Sequence, residues 1–150
     1  MLASRKLIIA QKKGPRIFRN LAGWREIGGR RIYFRSLWEA RYARYLEYLK
    51  ANQHIADWQY EPKTFWFDGI KRGTCSYKPD FCVIRNDLTH YWVEVKGYMD
   101  SCSRTKIKRF RKYFPDEELI VLEKKWFSLT QKNFPSIFEK PEILEQKEEL

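Results

Sequence analysis

The feature that most constrains the fold is the stretch Y-K-P-D-F-C-V-I-R-N-D-L-T-H-Y-W-V-E-V-K-G, which begins at residue 77. Two runs rich in apolar residues, 77–84 and 89–96, flank a polar centre at Asp87. This pattern predicts two strands joined by a short turn. If the turn is centred on Asp87, Phe81 faces Val93 across the hairpin, and the paired residues form one apolar face.

The opposite face of the predicted hairpin carries charge. Asp80 lies opposite Glu94 there, and Lys78 lies opposite Lys96. Like charges that face each other on a sheet are destabilising, so a positive group is expected between the two carboxylates. Mg²⁺ is usually bound by one or two carboxylates together with substrate phosphates. Because Lys96 projects from the same face as Glu94, this face suits metal-assisted attack of water on a phosphodiester.

An upstream glutamate can join this face. Residues 36–50 show apolar residues at helical spacing, which predicts a helix. Ser36 and Glu39 fit the capping box, in which Glu39 would accept a hydrogen bond from the backbone N–H of Ser36. One interpretation is that Glu39 only caps the helix. Since it lies at the edge of the apolar stripe, it can also reach a metal on the adjoining sheet, and we favour this second interpretation.

The remaining elements complete a mixed α/β domain. Residues 58–67 predict a strand with a bulge or edge at Pro62. Glu61 on this strand either faces solvent, which we favour, or adds a metal ligand. This strand forms a three-strand antiparallel meander with the hairpin. Residues 101–114 predict a second helix, capped by Ser101 or Ser103 and ended by Pro115. Residues 119–122 predict a strand that returns parallel to 89–96 through this helical crossover.

The charge of the chain favours a nucleic-acid partner. The net charge is +11, and residues 1–34 carry nine Arg or Lys against one acid.

We divide the chain into three parts: residues 1–34 as a basic N-terminal arm or dimerisation segment, residues 35–130 as the predicted nuclease core, and residues 131–150 as a peripheral segment. The arm follows a phosphate backbone or is a solvated tail; the cations of the second helix either contact DNA or are simply solvated. The predicted DNA-contacting residues are Arg30, Arg31, Arg35, Arg104, Lys106 and Lys108.

Other classes of protein are disfavoured. The three cysteines form no C-x-x-C pair, and with two histidines they do not predict a zinc site. Their odd number, without a secretory signal, favours a reducing compartment such as the cytoplasm. The apolar run 7–10 is too short for a signal peptide or a membrane span. We expect no membrane association and no small-molecule cofactor.

Pro79-Asp80 followed by Glu94-Val95-Lys96 resembles the signature of the PD-(D/E)xK nuclease superfamily. In that superfamily the Asp and the Glu hold metal, and the carbonyl of the residue between Glu and Lys often joins them. The resemblance therefore implies metal binding by Asp80, Glu94 and Val95. It also implies that Lys96 assists the attacking water.

The resemblance extends to one family of that superfamily. The motifs F-R-S at 34–36 with Glu39, Y-E at 60–61, P-D-F at 79–81 and E-V-K-G at 94–97 look like the phage junction-resolving endonuclease I family. This implies a restriction-endonuclease-like core with the order helix, three-strand meander, helix, strand. It also implies a Mg²⁺-dependent nuclease, with Mn²⁺ as a substitute, that cuts branched DNA such as Holliday junctions as a domain-swapped homodimer.

Several alternatives stay open at this stage. The loop 63–74 and the basic N-terminal residues have no counterpart in that family, which leaves substrate shape and dimerisation open. Transposon end-cleaving endonucleases carry a similar E…D…E-x-K array, and a sequence-selective duplex endonuclease or nickase is a related alternative. A non-catalytic DNA-binding protein of nuclease ancestry and an RNA-binding or structural basic protein are the others. A phage-encoded protein would act in the host cytoplasm.

Overall fold

A computed structural model describes residues 21–138 as an α+β domain. The predicted basic arm up to residue 20 and the Glu-rich end from residue 139 lie outside the described residues. In chain order the elements are β1 (Gly23–Ile27), β2 (Arg30–Phe34), α1 (Leu37–Ala51), β3 (Asp57–Tyr60), β4 (Phe65–Trp66), β5 (Ser76–Tyr77), β6 (Phe81–Ile84), β7 (His90–Lys96), α2 (Ser101–Tyr113), β8 (Leu119–Glu123), α3 (Lys124–Asn133) and a 3₁₀ turn (Pro135–Phe138).

The central sheet is mixed and has the order β3-β6-β7-β8. β6 and β7 form the predicted antiparallel hairpin, and Phe81 pairs with Val93 in the predicted register. β8 runs parallel to β7 and follows it through α2, so the predicted crossover is also confirmed. The alternation of side chains between the two faces of β6 and β7 fixes the register of the hairpin, because a slip by one residue would move every apolar side chain of a strand to the other face of the sheet.

The prediction of one continuous strand over residues 58–67 is wrong. The chain leaves the central sheet after Tyr60, because Glu61 adopts a left-handed conformation with φ of +47°. It then forms a separate two-stranded ribbon from β4 and β5, in which Phe65 pairs with Tyr77. The antiparallel meander is thus β3-β6-β7, and the β4–β5 ribbon is inserted between its first two strands.

Helix α1 covers the face of the sheet on which Phe81 and Val93 lie. Its predicted start is confirmed, because the Ser36 hydroxyl accepts a hydrogen bond of 3.2 Å from the Glu39 backbone N–H. The buried residues on this side include Tyr42 and Leu46 of the helix, both in one apolar core with the sheet. Burial of several large side chains at about 1.5–3 kcal/mol each is what holds the helix on the sheet.

The second half of the predicted basic arm belongs to the domain. β1 and β2 pair through a two-residue turn at Gly28-Gly29, and Ile27 and Phe34 are buried in the core below α1. Gly28 has φ of +60°, and a Cβ there would lie 2.4 Å from Glu47 Cδ. A side chain at this position would be strained by the positive φ and would have to displace the end of Glu47, so the turn favours glycine where it passes α1.

The opposite face of the sheet carries the inserted ribbon and α2. A second apolar core joins Phe65 of the ribbon, Trp92 of β7 and Phe110 of α2. The predicted caps of α2 are wrong: the side chain of Asp100 accepts from the Ser103 N–H at 2.7 Å. The carboxylate lies one residue before the helix, where it satisfies a free N–H group of the first turn. α2 ends at Tyr113, just before Pro115, as predicted.

No helix within residues 21–138 is long and apolar enough to cross a membrane.

Candidate active site

A cavity of about 540 Å³ opens where the two halves of the β6–β7 hairpin meet α1, α2 and the inserted ribbon. It brings together every predicted catalytic and metal-binding residue and adds several others. The lining residues are Arg35, Glu39, Thr64, Ser76, Tyr77, Lys78, Asp80, Glu94, Val95, Lys96 and Lys106.

Asp80 lies at the floor of this cavity and is 4% exposed. It directly precedes β6, and its Oδ2 accepts a hydrogen bond of 2.8 Å from the backbone N–H of Val95 on β7. Burial, and then the charges of Glu94 and Glu39, raise the pKa of Asp80 to about 8. The charges of Glu94 and Glu39 are therefore near enough to oppose the ionisation of Asp80.

Glu94 is also 4% exposed and is bound on both oxygens. Its Oε1 lies 2.8 Å from Lys96 Nζ, and its Oε2 accepts from the Tyr77 hydroxyl at 2.7 Å. Burial works against the charge of Lys96, but the hydrogen bond to Glu94 and the charges of Glu94 and Asp80 leave its pKa raised. Lys96 is thus a protonated donor held on the face that carries both carboxylates.

Glu39 reaches the cavity from the first turn of α1 and is 8% exposed. Its Oε1 accepts from the Ser36 hydroxyl at 2.9 Å, and its Oε2 accepts from the Tyr60 hydroxyl at 2.6 Å and from the Arg35 N–H at 3.2 Å. The predicted hydrogen bond from the Ser36 N–H is therefore wrong. Since the Glu39 side chain turns towards the sheet, it reaches the backbone N–H of Arg35, one residue before Ser36.

Arg35 and Lys78 lie at the rim of the cavity, and the carboxylate of Glu61 forms an ion pair with each of them. Glu61 forms an ion pair with the Arg35 guanidinium and lies 3.2 Å from Lys78 Nζ. Arg35 Nη2 is also 3.6 Å from Asp80 Oδ1. The expectation that Glu61 simply faces solvent is wrong, because its left-handed backbone turns the side chain towards these two cations.

The predicted DNA-contacting residues occupy different places. Arg35 and Lys106 line the active-site cavity. Arg30 lies elsewhere: it donates to the Trp58 carbonyl at 2.9 Å, and its guanidinium is 3.9 Å from the centre of the Trp58 ring. Arg31 lies 5.1 Å from the centre of the Trp24 ring on the β1–β2 hairpin. Arg104 and Lys108 line two further cavities beside α2.

The donor set suits a hard divalent cation of the Mg²⁺ type. Within residues 21–138, no group of three or more His, Cys, Asp or Glu side chains is placed to hold a metal ion alone. Asp80 and Glu94 make a pair of buried oxygen ligands, which is the number that Mg²⁺ commonly takes from a protein before substrate phosphates complete its shell. Glu39 stands beside this pair, bound to Ser36, Tyr60 and Arg35.

Sequence reasoning missed the two tyrosines that fix the carboxylates. Tyr60 ends β3 and donates to Glu39, and Tyr77 ends the inserted ribbon and donates to Glu94. Burial and the neighbouring carboxylates raise the pKa of both hydroxyls, so both are donors at neutral pH. The signal for Tyr60 was the motif Y-E at 60–61, whereas Tyr77 had only its position just before Lys78 and Asp80. The ribbon that aims Tyr77 could not be predicted.

These features define a class: an α+β protein with a mixed sheet that carries buried, opposed carboxylates and a lysine at one cavity. The chain belongs to the family described as "Protein of unknown function (DUF1064)", which matches residues 24–129. The match begins in β1 and ends in α3, so it spans nearly all of the described domain. Neither a curated protein nor a solved structure matches the chain.

Proposed function

We propose that the protein is a Mg²⁺-dependent DNA endonuclease with a restriction-endonuclease-like core. The observation that carries the proposal is the burial of Asp80 against Glu94 across the β6–β7 hairpin, with Lys96 hydrogen-bonded to Glu94. The two buried carboxylates give no structural benefit, because the charge of Glu94 raises the free-energy cost of ionising Asp80. A site that binds a cation and hydrolyses phosphodiesters accounts for their retention.

In this proposal Asp80, Glu94 and the carbonyl of Val95 hold the metal, and Glu39 supports it from α1. When bound, Mg²⁺ or its substitute Mn²⁺ supplies positive charge for the phosphate oxygens and acidifies a water molecule. Lys96 has donors besides the one that Glu94 accepts, so it can orient the attacking water and stabilise negative charge on the phosphate. Tyr77 and Tyr60 keep the carboxylates oriented through their hydrogen bonds.

The rim of the cavity supplies the substrate contacts. Arg35 and Lys106 line the cavity, and Glu61 holds Arg35 and Lys78 in place. Guanidinium and ammonium groups at this position bind phosphates on either side of the cleaved bond. The net charge of +11 supports a polyanionic partner, and the resemblance to junction-resolving enzymes favours branched DNA and a homodimer.

Cleavage of supercoiled plasmid tests the proposal. Wild-type protein should nick or linearise the plasmid with Mg²⁺ and not with EDTA. Asp80→Asn and Glu94→Gln should each abolish cleavage while DNA binding survives, because they remove metal ligands and leave the basic surface intact. Asp116→Asn is the matched control, since this carboxylate is exposed and lies before β8, outside the cavity.

Two results would contradict parts of the proposal. Wild-type cleavage rates in Asp80→Asn or Glu94→Gln would exclude these residues as metal ligands. DNA binding without cleavage under any Mg²⁺ or Mn²⁺ condition would favour the non-catalytic DNA-binding alternative. A plasmid with an extruded cruciform, compared with its relaxed form, separates a junction-selective enzyme from a duplex endonuclease.

A further inference from the structure

A second cavity adjoins the active site and shares a wall with it. It has a volume of about 320 Å³ and lies between the end of β7 and the starts of α2 and α3. Lys96 lines both cavities, so a strand that passes the cleavage site can continue directly into the second cavity. The lining residues are Lys96, Gly97, Tyr98, Met99, Arg104, Glu123, Lys124 and Lys125.

The cations of this second cavity differ from those of the active site. Lys96 is paired with Glu94, and Arg35 is paired with Glu61. Within residues 21–138, no ion pair is formed by Arg104, Lys124 or Lys125. Two elements, α2 and α3, therefore direct these three cations at one concave surface, which also carries the carboxylate of Glu123. A phosphate group bound there would give these cations a partner.

Two of these cations have an unfavourable position for folding alone. Lys124 and Lys125 open α3, whose first turn carries no acidic residue; one carboxylate, that of Glu123, lies at the N-cap position and, within the described residues, makes no capping hydrogen bond. Positive side chains at a helix N-terminus oppose the helix dipole and cost stability. An anion bound in the cavity between Lys124, Lys125 and Arg104 would offset this cost.

The same cavity carries an exposed aromatic ring. Tyr98 is 82% exposed, the most exposed of the large hydrophobic side chains in the described residues. It stands two residues after Lys96, on the loop that leads into α2. An aromatic face beside cations is the combination with which proteins bind single-stranded nucleic acid, because the ring stacks on a base while the cations bind its phosphate.

We propose that this cavity is a subsite for one unpaired DNA nucleotide that adjoins the cleaved bond. Arg104, Lys124 and Lys125 bind its phosphate, and Tyr98 stacks on its base. The size of the cavity is at the lower end of the range for small-ligand sites, which suits a single nucleotide. The base must be unpaired because both of its faces are covered by neighbours inside a duplex. This inference rests on the proposed nuclease function and specifies its substrate as DNA with a single-stranded segment at the cut.

Binding of a short labelled single strand in EDTA tests the subsite without requiring cleavage. Lys124→Gln with Lys125→Gln should lower affinity and reduce the slope of log K against log salt by up to about 0.7, the value for one phosphate contact on a single strand. Lys112→Gln with Lys132→Gln is the matched control, because both lysines are exposed at the far ends of α2 and α3. The control pair should leave the slope closer to the wild-type value.

Tyr98 is tested by comparing strands. Tyr98→Ala should weaken single-strand binding by about 5-fold or more, the effect of losing one base–aromatic stack, and leave binding of the matching duplex unchanged. Tyr98→Phe should keep wild-type affinity, since it retains the ring. Equal losses for duplex and single strand, or equal slope changes in the two lysine pairs, would overturn the subsite.

The binding experiments on the subsite and the cleavage experiment on the nuclease proposal can fail independently of each other. If wild-type protein cleaves but Tyr98→Ala and the Lys124/Lys125 variant bind the single strand as wild type does, the subsite is wrong and the nuclease remains. If wild-type protein does not cleave but the variants lose single-strand binding as expected, the subsite stands and the catalytic proposal fails. If wild-type protein does not bind a single strand, the subsite is overturned.

Discussion

At the scale of single residues, the buried carboxyl group of Asp80 dominates the behaviour of the site. Its pKa is raised to about 8 by burial and by the charges of Glu94 and Glu39, against an ordinary value of 3.8. Above pH 4 the unfolded chain releases this proton while the folded protein retains it. The metal-free folded state should therefore lose stability as pH rises from about 4 to about 8.

Thermal melting in EDTA measures this effect. We expect the melting temperature of wild-type protein to fall across that pH range, and Asp80→Asn to melt higher than wild type at about pH 8. Added Mg²⁺ should raise the melting temperature of wild type but not of Asp80→Asn, because only the native site binds the ion. A melting temperature that rises from pH 5 to pH 8 in EDTA would contradict the assignment of this buried charge.

The proposed function gives Glu39 a catalytic role beside its structural one, and Glu39→Gln separates the two. The Gln amide oxygen can still accept from Tyr60 and from the Arg35 N–H, and its NH₂ can donate to Ser36 Oγ. We expect a melting temperature near that of wild type and cleavage slowed by at least about 100-fold, equivalent to roughly 2.7 kcal/mol. A variant that is active but destabilised would assign Glu39 to helix capping alone, a contribution of about 0.5–2 kcal/mol.

How much of the site the sequence could predict depends on the kind of contact. Asp80 and Glu94 were placed together correctly because strand periodicity and one turn determine which residues face each other. The capping partner of Glu39 and the cap of α2 were wrong, because a shift of one residue changes which N–H group lies within reach. The partners of Tyr60 and Tyr77 depend on long-range packing, which local pattern does not specify.

At the scale of elements, the inserted β4–β5 ribbon links α2 to the candidate active site. Phe65 packs against Phe110 of α2, with ring centres 4.9 Å apart, and Tyr77 reaches from the same ribbon to Glu94. The strand break that creates this ribbon was not predictable, since residues 58–67 are rich in strand-forming aromatics. The left-handed turn falls on Glu61, where no glycine marks it.

Tyr77→Phe tests the ribbon as a support for the site. The ring keeps its place against Phe110, and the hydroxyl that binds Glu94 is lost. A hydrogen bond to a charged group contributes about 1.5–3 kcal/mol, so we expect cleavage to need at least about tenfold more Mg²⁺ for half-maximal rate. Tyr113→Phe is the control, because this tyrosine packs on Phe67 of the same segment but does not line the active-site cavity. An equal effect of both variants would assign Tyr77 to packing only.

At the scale of the whole molecule, charge is concentrated in the N-terminal segment. Residues 1–20 carry six Arg or Lys and no acid, more than half of the net charge of +11. The structure shows which residues a truncated protein must keep. A truncation at residue 31 would delete β1 and the buried Ile27, whereas a protein that begins at Leu21 keeps the complete β1–β2 hairpin.

We expect deletion of residues 1–20 to lower DNA affinity and to flatten the slope of log K against log salt, because fewer counterions are released. Fluorescence anisotropy with labelled DNA at several salt concentrations measures the slope. The melting temperature of the truncated protein is the control for folding. An unchanged slope would identify residues 1–20 as a solubility tail without a role in binding.

The hairpin that carries Asp80 and Glu94 also has a consequence for the order of assembly. Its strands are neighbours in sequence, so closing it costs little chain entropy, and such local contacts tend to form early. Tyr77, which binds Glu94, depends on a ribbon that needs α2 in place. Asp80 and Glu94 would then come together before Tyr77 is in place. Their repulsion would already raise the free energy of the transition state for folding. Refolding in EDTA should slow as pH rises towards about 8, with a smaller change in the rate of unfolding.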